Sequence, residues 1–123
     1  MSNQRNVRFS TAKTTVKNRL CTSRGADVAS AATLTLGNDG NYFSITGTTN
    51  IDYITTTDWT PGSVVHLKFN GSLTLNHNTG TVPANTAALT LAAAGNVSVT
   101  ADDMITLVYD GSTWRQLHAL LAI

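Results

Sequence analysis

The sequence predicts an all-β head of eight to nine short strands, either a small antiparallel β-sandwich or a short β-helix-like domain, preceded by an extended N-terminal arm. Three observations carry that reading. Apolar runs of four to six residues alternate with turn-forming pairs from about residue 32 to residue 117. Thr, Asn, Ser and Gly dominate these residues and Glu is absent from the chain, which leaves little from which to build long helices. The charge is divided as well. Arg5, Arg8, Lys13, Lys17, Arg19 and Arg24 all precede the first acid, Asp27, whereas the rest of the chain holds seven Asp and only Lys68 and Arg115. Residues 1–26 therefore carry +6 and residues 27–123 carry 2 − 7 = −5, a separation that the net charge of +1 conceals. We read residues 1–26 as a basic arm and 27–123 as the head.

Within the arm, Val7, Phe9, Val16 and Leu20 are isolated apolar anchors among cations, with no sustained period of 2 or 3.6. Such a segment is expected to order on a partner. The head opens with TLTL at 33–36, stopped by Asn38-Asp39-Gly40-Asn41. YFSIT at 42–46 and IDYI at 51–54 follow, up to the break at Pro61-Gly62. VVHLKF at 64–69 leads through Asn70-Gly71 into SLTLNH at 72–77, and a loop through Gly80 and Pro83 reaches ALTL at 88–91. After Gly95-Asn96 come VSVT at 97–100, MITLVY at 104–109, the Asp110-Gly111 pair and STWRQL at 112–117. The apolar tail LHALLAI at 117–123 is a surface liability in a monomer, and it suits packing on a neighbour in a trimer.

Register refines two corners. A two-residue Asp110-Gly111 turn sets Leu107 opposite Trp114, so that Ile105, Leu107, Tyr109 and Trp114 share one face. At Asn70-Gly71 the same device makes the apolar faces disagree, since Val65, Leu67 and Phe69 fall beside Ser72, Thr74 and Asn76. A bulge, burial of both faces, or passage to a different strand each resolves this, and burial on both sides within an oligomer is the favoured expectation.

Little in the chain points to chemistry. His66, His77 and His118 are dispersed, and no HExxH, GxSxG, P-loop or GxGxxG spacing occurs, so neither a catalytic residue, a cofactor nor a metal is expected. The single Cys21 cannot form an intrachain disulfide. Asp39, Asp110 and the Asp102-Asp103 pair read as turn formers that bind local amides. Trp59, in the TTTDWTPGS loop, and Tyr53 are the candidates for exposed recognition, whereas Trp114 is assigned to the core. The basic start is not followed by an apolar stretch of signal type, and no run reaches the ~20 apolar residues that span a bilayer. The expectation is a chain made in the cytoplasm, with no membrane partner.

The stretch YFSITGTTNIDYITTTDWTPGSVVHLKFNGSLTLNHNTG, followed by NVSVTADDMITLVYDGSTWRQL, resembles a module that recurs in virion appendages of tailed bacteriophages: tail fibres, head fibres and capsid decoration proteins. The ordered pieces are ITGTT, PG-x-V-V-x-L-x-F, L-T-L-x-H-N and D-x-x-x-L-V-Y-D-G-x-x-W, together covering about residues 40–117. Gly62, Phe69, His77, Asn78, Asp110, Gly111 and Trp114 match its recurrent positions, and the resemblance implies that they are architectural. It also implies a non-enzymatic virion protein that forms a homotrimer. Because only a short arm precedes the module here, the expectation is a capsid decoration or head-fibre protein, with Arg5, Arg8, Lys13, Lys17, Arg19 and Arg24 binding the major capsid protein or another virion protein. The alternative is a receptor- or carbohydrate-binding tail-fibre module that touches a host glycan. Nucleic acid is not an expected partner, because six cations interleaved with Val, Phe and Leu are sparse for phosphate neutralisation.

Overall fold

The structure is a computed structural model that describes residues 23–117. Among these residues it is all-β, with ten strands and no helix. The arm cations Arg5, Arg8, Lys13, Lys17 and Arg19, the thiol of Cys21 and the tail residues 118–123 lie outside the described residues.

The chain winds in coils. The first holds β1 (Val28–Ala29) and β2 (Thr33–Leu34), and the second holds β3 (Tyr42–Thr46) and β4 (Tyr53–Thr55). The third holds β5 (Val64–Phe69), β6 (Leu73–Leu75) and β7 (Thr86–Thr90), and the last holds β8 (Val97–Val99), β9 (Met104–Tyr109) and β10 (Trp114–Gln116). Strands of successive coils stack in parallel on two sides: β1 on β3 on β5, and β2 on β4. The stacking then reverses. β7 runs antiparallel to β4, β9 antiparallel to β5, and β10 joins the two sides by pairing antiparallel with β9 and parallel with β7. The result is one eight-stranded sheet in the order β1-β3-β5-β9-β10-β7-β4-β2, bent almost into a ring, with β6 and β8 as a separate two-stranded flank. Parallel stacking favours the β-helix-like alternative, and the pairing is mixed where the sandwich alternative was antiparallel. Strands joined by short corners rather than long crossovers can be parallel only if the chain circles a common core.

Alternation supplies that core. In β5 Val65, Leu67 and Phe69 are buried while Val64, His66 and Lys68 are half-exposed. Register then places like on like from coil to coil: Phe43 beside Leu67 beside Ile105, Ile45 beside Phe69, and Leu34 beside Ile54 beside Ala87. Ile51, Leu73, Leu75 and Val99 fill the third side, where Ile51 bridges to Leu75 in parallel.

The disagreement of faces at Asn70-Gly71 is accounted for within one chain. β5 and β6 do not pair with each other: the backbone turns a corner and passes to β8, so that Phe69 and Leu73, 0% and 6% exposed, point into the same core. The N–H of Asn70 donates to Ile45 O at 2.9 Å, and a Cβ at Gly71 would lie 2.9 Å from Gly47 O, so the corner closes against the previous coil only with glycine.

In the closing hairpin the register differs by two residues from expectation, with Trp114 opposite Tyr109 and Gln116 opposite Leu107. The two turn residues are Gly111 and Ser112, not Asp110 and Gly111, because Asp110 N–H donates to Thr113 O at 3.1 Å and the Asp110 carboxylate accepts from the N–H of Ser112 and of Thr113, each at 2.8 Å. Gly111 takes φ 97°, as a turn with glycine at its first central position requires. A slip of two preserves the face, so Ile105, Leu107, Tyr109 and Trp114 still share a side.

Candidate functional site

The aromatic residues singled out for recognition are tied into the scaffold. Trp59 is half-buried, and its ring meets that of Trp114 edge-on at 5.6 Å and 82°. Tyr109 lies tilted against the other side of the cluster, 5.2 Å from Trp114, which is fully buried. Edge-to-face packing of this kind adds to the area that each ring removes from water. Trp59 therefore offers only part of its surface to a ligand. Tyr53 is also half-buried, and its hydroxyl lies 2.5 Å from Thr79 O and 3.0 Å from Thr81 O, pinning the loop between β6 and β7.

The histidines do not converge. His66 Nδ1 contacts Thr106 Oγ1 at 2.8 Å across the β5–β9 ladder. His77 Nδ1 lies 3.0 Å from the backbone nitrogen of Leu91, and its Nε2 lies 3.1 Å from the Asn78 side-chain nitrogen, so the ring is held by its own neighbours. Among the described residues no three His, Cys, Asp or Glu side chains group as metal ligands would.

Most acids serve turns or ion pairs. Asp103 Oδ2 accepts from Thr100 N–H at 2.8 Å, and Asp102, at φ 73°, pairs with Lys68 at 3.2 Å. Asp110 holds its carboxyl well below the usual range, at about 2. The backbone N–H of Thr113 is the largest cause, then the Arg115 guanidinium at 2.6 Å and the N–H of Ser112. Asp39 departs from the expectation of a local turn: its Oδ2 reaches back to the N–H of Ala26 at 2.9 Å and ties the end of the first coil to its beginning.

Arg24, counted with the arm in the sequence, is engaged on the head. Its Nη2 donates to Asp27 Oδ1 at 3.1 Å and to the buried Ser44 Oγ at 2.9 Å, and the guanidinium lies 5.8 Å from the Tyr42 ring centre. Pairing with β3 accordingly begins upstream of residue 27, with a parallel bridge from Arg24 to Tyr42. All three cations among the described residues, Arg24, Lys68 and Arg115, are thus paired with an Asp. The described residues carry 3 − 7 = −4, and the five cations that balance them are Arg5, Arg8, Lys13, Lys17 and Arg19.

One feature escaped the sequence. An open cleft of about 460 Å³ lies along the first coil, lined by Asp27, Val28, Ala29, Thr35, Gly37 and Asp39 among others. Its two acids stand twelve positions apart on either side of the TLTL run, and nothing in a linear pattern marks them as neighbours. No protein-family model, curated protein or solved structure matches the chain.

Proposed function

We propose that this chain is a non-enzymatic structural component of a bacteriophage particle, a capsid decoration or head-fibre protein that stands on the shell as a homotrimer and is attached through its basic N-terminal arm. The observation that carries this reading is the segregation of charge. Every Lys and Arg of the described head is neutralised by an Asp of the same head, and the other five, Arg5, Arg8, Lys13, Lys17 and Arg19, are gathered in residues 1–22. A basic segment of this length gains affinity for an acidic surface by coupling its ordering to binding, and three per trimer add avidity. The resemblance to virion appendages supplies the class of particle. The compact ladder of buried rungs suits a part that bears load.

Co-sedimentation with shells of the cognate phage tests the attachment. Full-length chain is expected in the pellet at low salt, and a chain with Arg5, Arg8, Lys13, Lys17 and Arg19 each changed to Glu is expected in the supernatant. Equal pelleting of both would exclude the arm as the anchor. Light scattering during gel filtration tests the homotrimer, and a monomer at micromolar concentration would remove it. The runner-up, recognition of a host glycan through Trp59 and Tyr53, predicts glycan-array signals that vanish in Trp59→Ala. Array silence together with shell binding counts against it.

A further inference from the structure

The first coil leaves its outer edge without a strand partner among the described residues. β3 covers one side of β1 and β4 covers one side of β2, and the sheet ends at both strands. Ser30 donates its N–H to Thr46 O at 2.7 Å, so the alternation of a parallel ladder turns the N–H and C=O of Ala29 away from the sheet. On the other side Ala32 O accepts from Asp52 and Tyr53, at 2.8 and 3.0 Å, which turns Thr33 outward in the same way. Outward rows of backbone groups are what an added strand pairs with. Natural edges are usually blunted with Lys or Pro, and neither occurs between residues 23 and 60.

The chemistry beside the edge selects the strand. The 460 Å³ cleft runs along β1, and Ala29, Thr35 and Gly37 leave room there for a backbone. Its wall carries two acids, Asp39, which has no ion pair among the described residues, and Asp27, which is paired with Arg24 at 3.1 Å. The nearby cation, Arg24, is already held by Asp27 and Ser44. A basic extended segment fits.

We infer that this edge accepts residues 1–22 of a second copy of the chain as an added β-strand. That segment carries Arg5, Arg8, Lys13, Lys17 and Arg19 and no acid, and Val7, Thr11, Thr14, Thr15 and Val16 are β-branched. It contains no Gly, no Pro and no Asn-Gly or Asp-Gly pair, so it lacks the tight-turn signal needed to double back on the β1 that follows it. It joins the head at Ser23, whose carbonyl accepts from Asn41 N–H at 3.1 Å at this same end of the molecule, and 22 extended residues reach at most about 79 Å. Reach permits a neighbour, and the missing turn signal selects one. The inference does not rest on the particle reading: it gives residues 1–22 to a neighbouring head with no shell present, and an arm held in this way is not one that anchors to a shell.

Zero-length carbodiimide coupling of an equimolar mixture of light and heavy-nitrogen full-length chains tests it. The expected products join Lys13 or Lys17 to Asp27 or Asp39 in pairs of mixed isotope, and they disappear in Ala29→Pro, which removes the outward N–H without touching the β1–β3 ladder. Buried-tryptophan fluorescence checks that this variant is folded. Should it fail to fold, Asp27→Lys in the same assay is expected to remove the coupling to position 27 and to weaken that to Asp39. With the two chains refolded together, intermolecular coupling gives light, mixed and heavy pairs at about 1:2:1, and a complete absence of mixed pairs overturns the second copy as the source. Coupling that persists in Ala29→Pro, falls on Asp52, Asp58 or Asp102, or is absent overturns the edge as the acceptor.

Discussion

The first and last coils do the same structural job by unequal means. The first contributes two strands of two residues each, β1 and β2, and its inward side chains are Leu34 and Leu36, with Val28 half-buried. The last contributes the six-residue β9 and, through β10, a tryptophan that seals the two sides of the sheet to each other. Exposed backbone bounds one end of the ladder and a cross-paired hairpin bounds the other. Stability is therefore expected to be graded along the stack, lowest at the coil next to the arm.

Four substitutions test that contrast, in decreasing order of effect. Trp114→Ala empties the seal of the last coil and removes the partner of both Trp59 and Tyr109. A loss of about 3–5 kcal/mol in denaturant unfolding is expected, and less than 1 kcal/mol would mean that the hairpin is not what closes the sheet. Leu34→Ala removes the main anchor of the first coil, and because an open end can collapse around the gap, a loss near the lower bound for such a change, about 2 kcal/mol, is expected. Hydrogen exchange should show this loss at β1 and β2, leaving β9 protected. Uniform loss would make the stack one cooperative unit.

The third concerns acid. Asp110 is more acidic when folded, at about 2, than its ordinary value of 3.8, so its contribution is complete above pH 3.8 and is lost as pH falls through about 2. Asp110→Asn should be modestly less stable at pH 7 and should flatten the fall in stability between pH 4 and pH 2. An unchanged acid limb would shift the cause to other carboxylates. The smallest is Ala94→Gly. Ala94 sits at φ 56°, where a Cβ costs about 1 kcal/mol and glycine fits, and after the entropy of glycine a gain of about 0.5 kcal/mol in midpoint-derived stability is expected.

How much of this was legible follows from period and spacing. The bounds of β3, β5 and β9 match the runs YFSIT, VVHLKF and MITLVY, because alternation of large apolar residues between turn signals is visible over five or six positions. β1 was missed, since two residues are too few to show a period. The coiled stacking was hard to see for another reason. Val28 pairs with Ile45 at an offset of 45 − 28 = 17, whereas Phe43 pairs with Leu67 at 67 − 43 = 24, so unequal corners hide any repeat. The cleft depends on that hidden stacking, which brings Asp27 and Asp39 to one wall. Arg24 reads as an arm residue because composition counts charge without seeing that Ser44 Oγ, twenty residues on, accepts a hydrogen bond from its guanidinium.

The reversal of direction at β9 and β10 has a consequence for assembly. A ladder of parallel rungs is an open-ended polymerisation template, on which any matching strand can continue the series from either end. In the eight-stranded sheet the second end is consumed by the chain itself, because β10 bridges β9 and β7 and both edges of that sheet belong to the first coil. Strand addition to that sheet is therefore confined to the first coil, and two heads cannot continue it by joining their β9–β10 hairpins. The path of the last hairpin thereby confines extension of the large sheet, among the described residues, to the strands of the first coil.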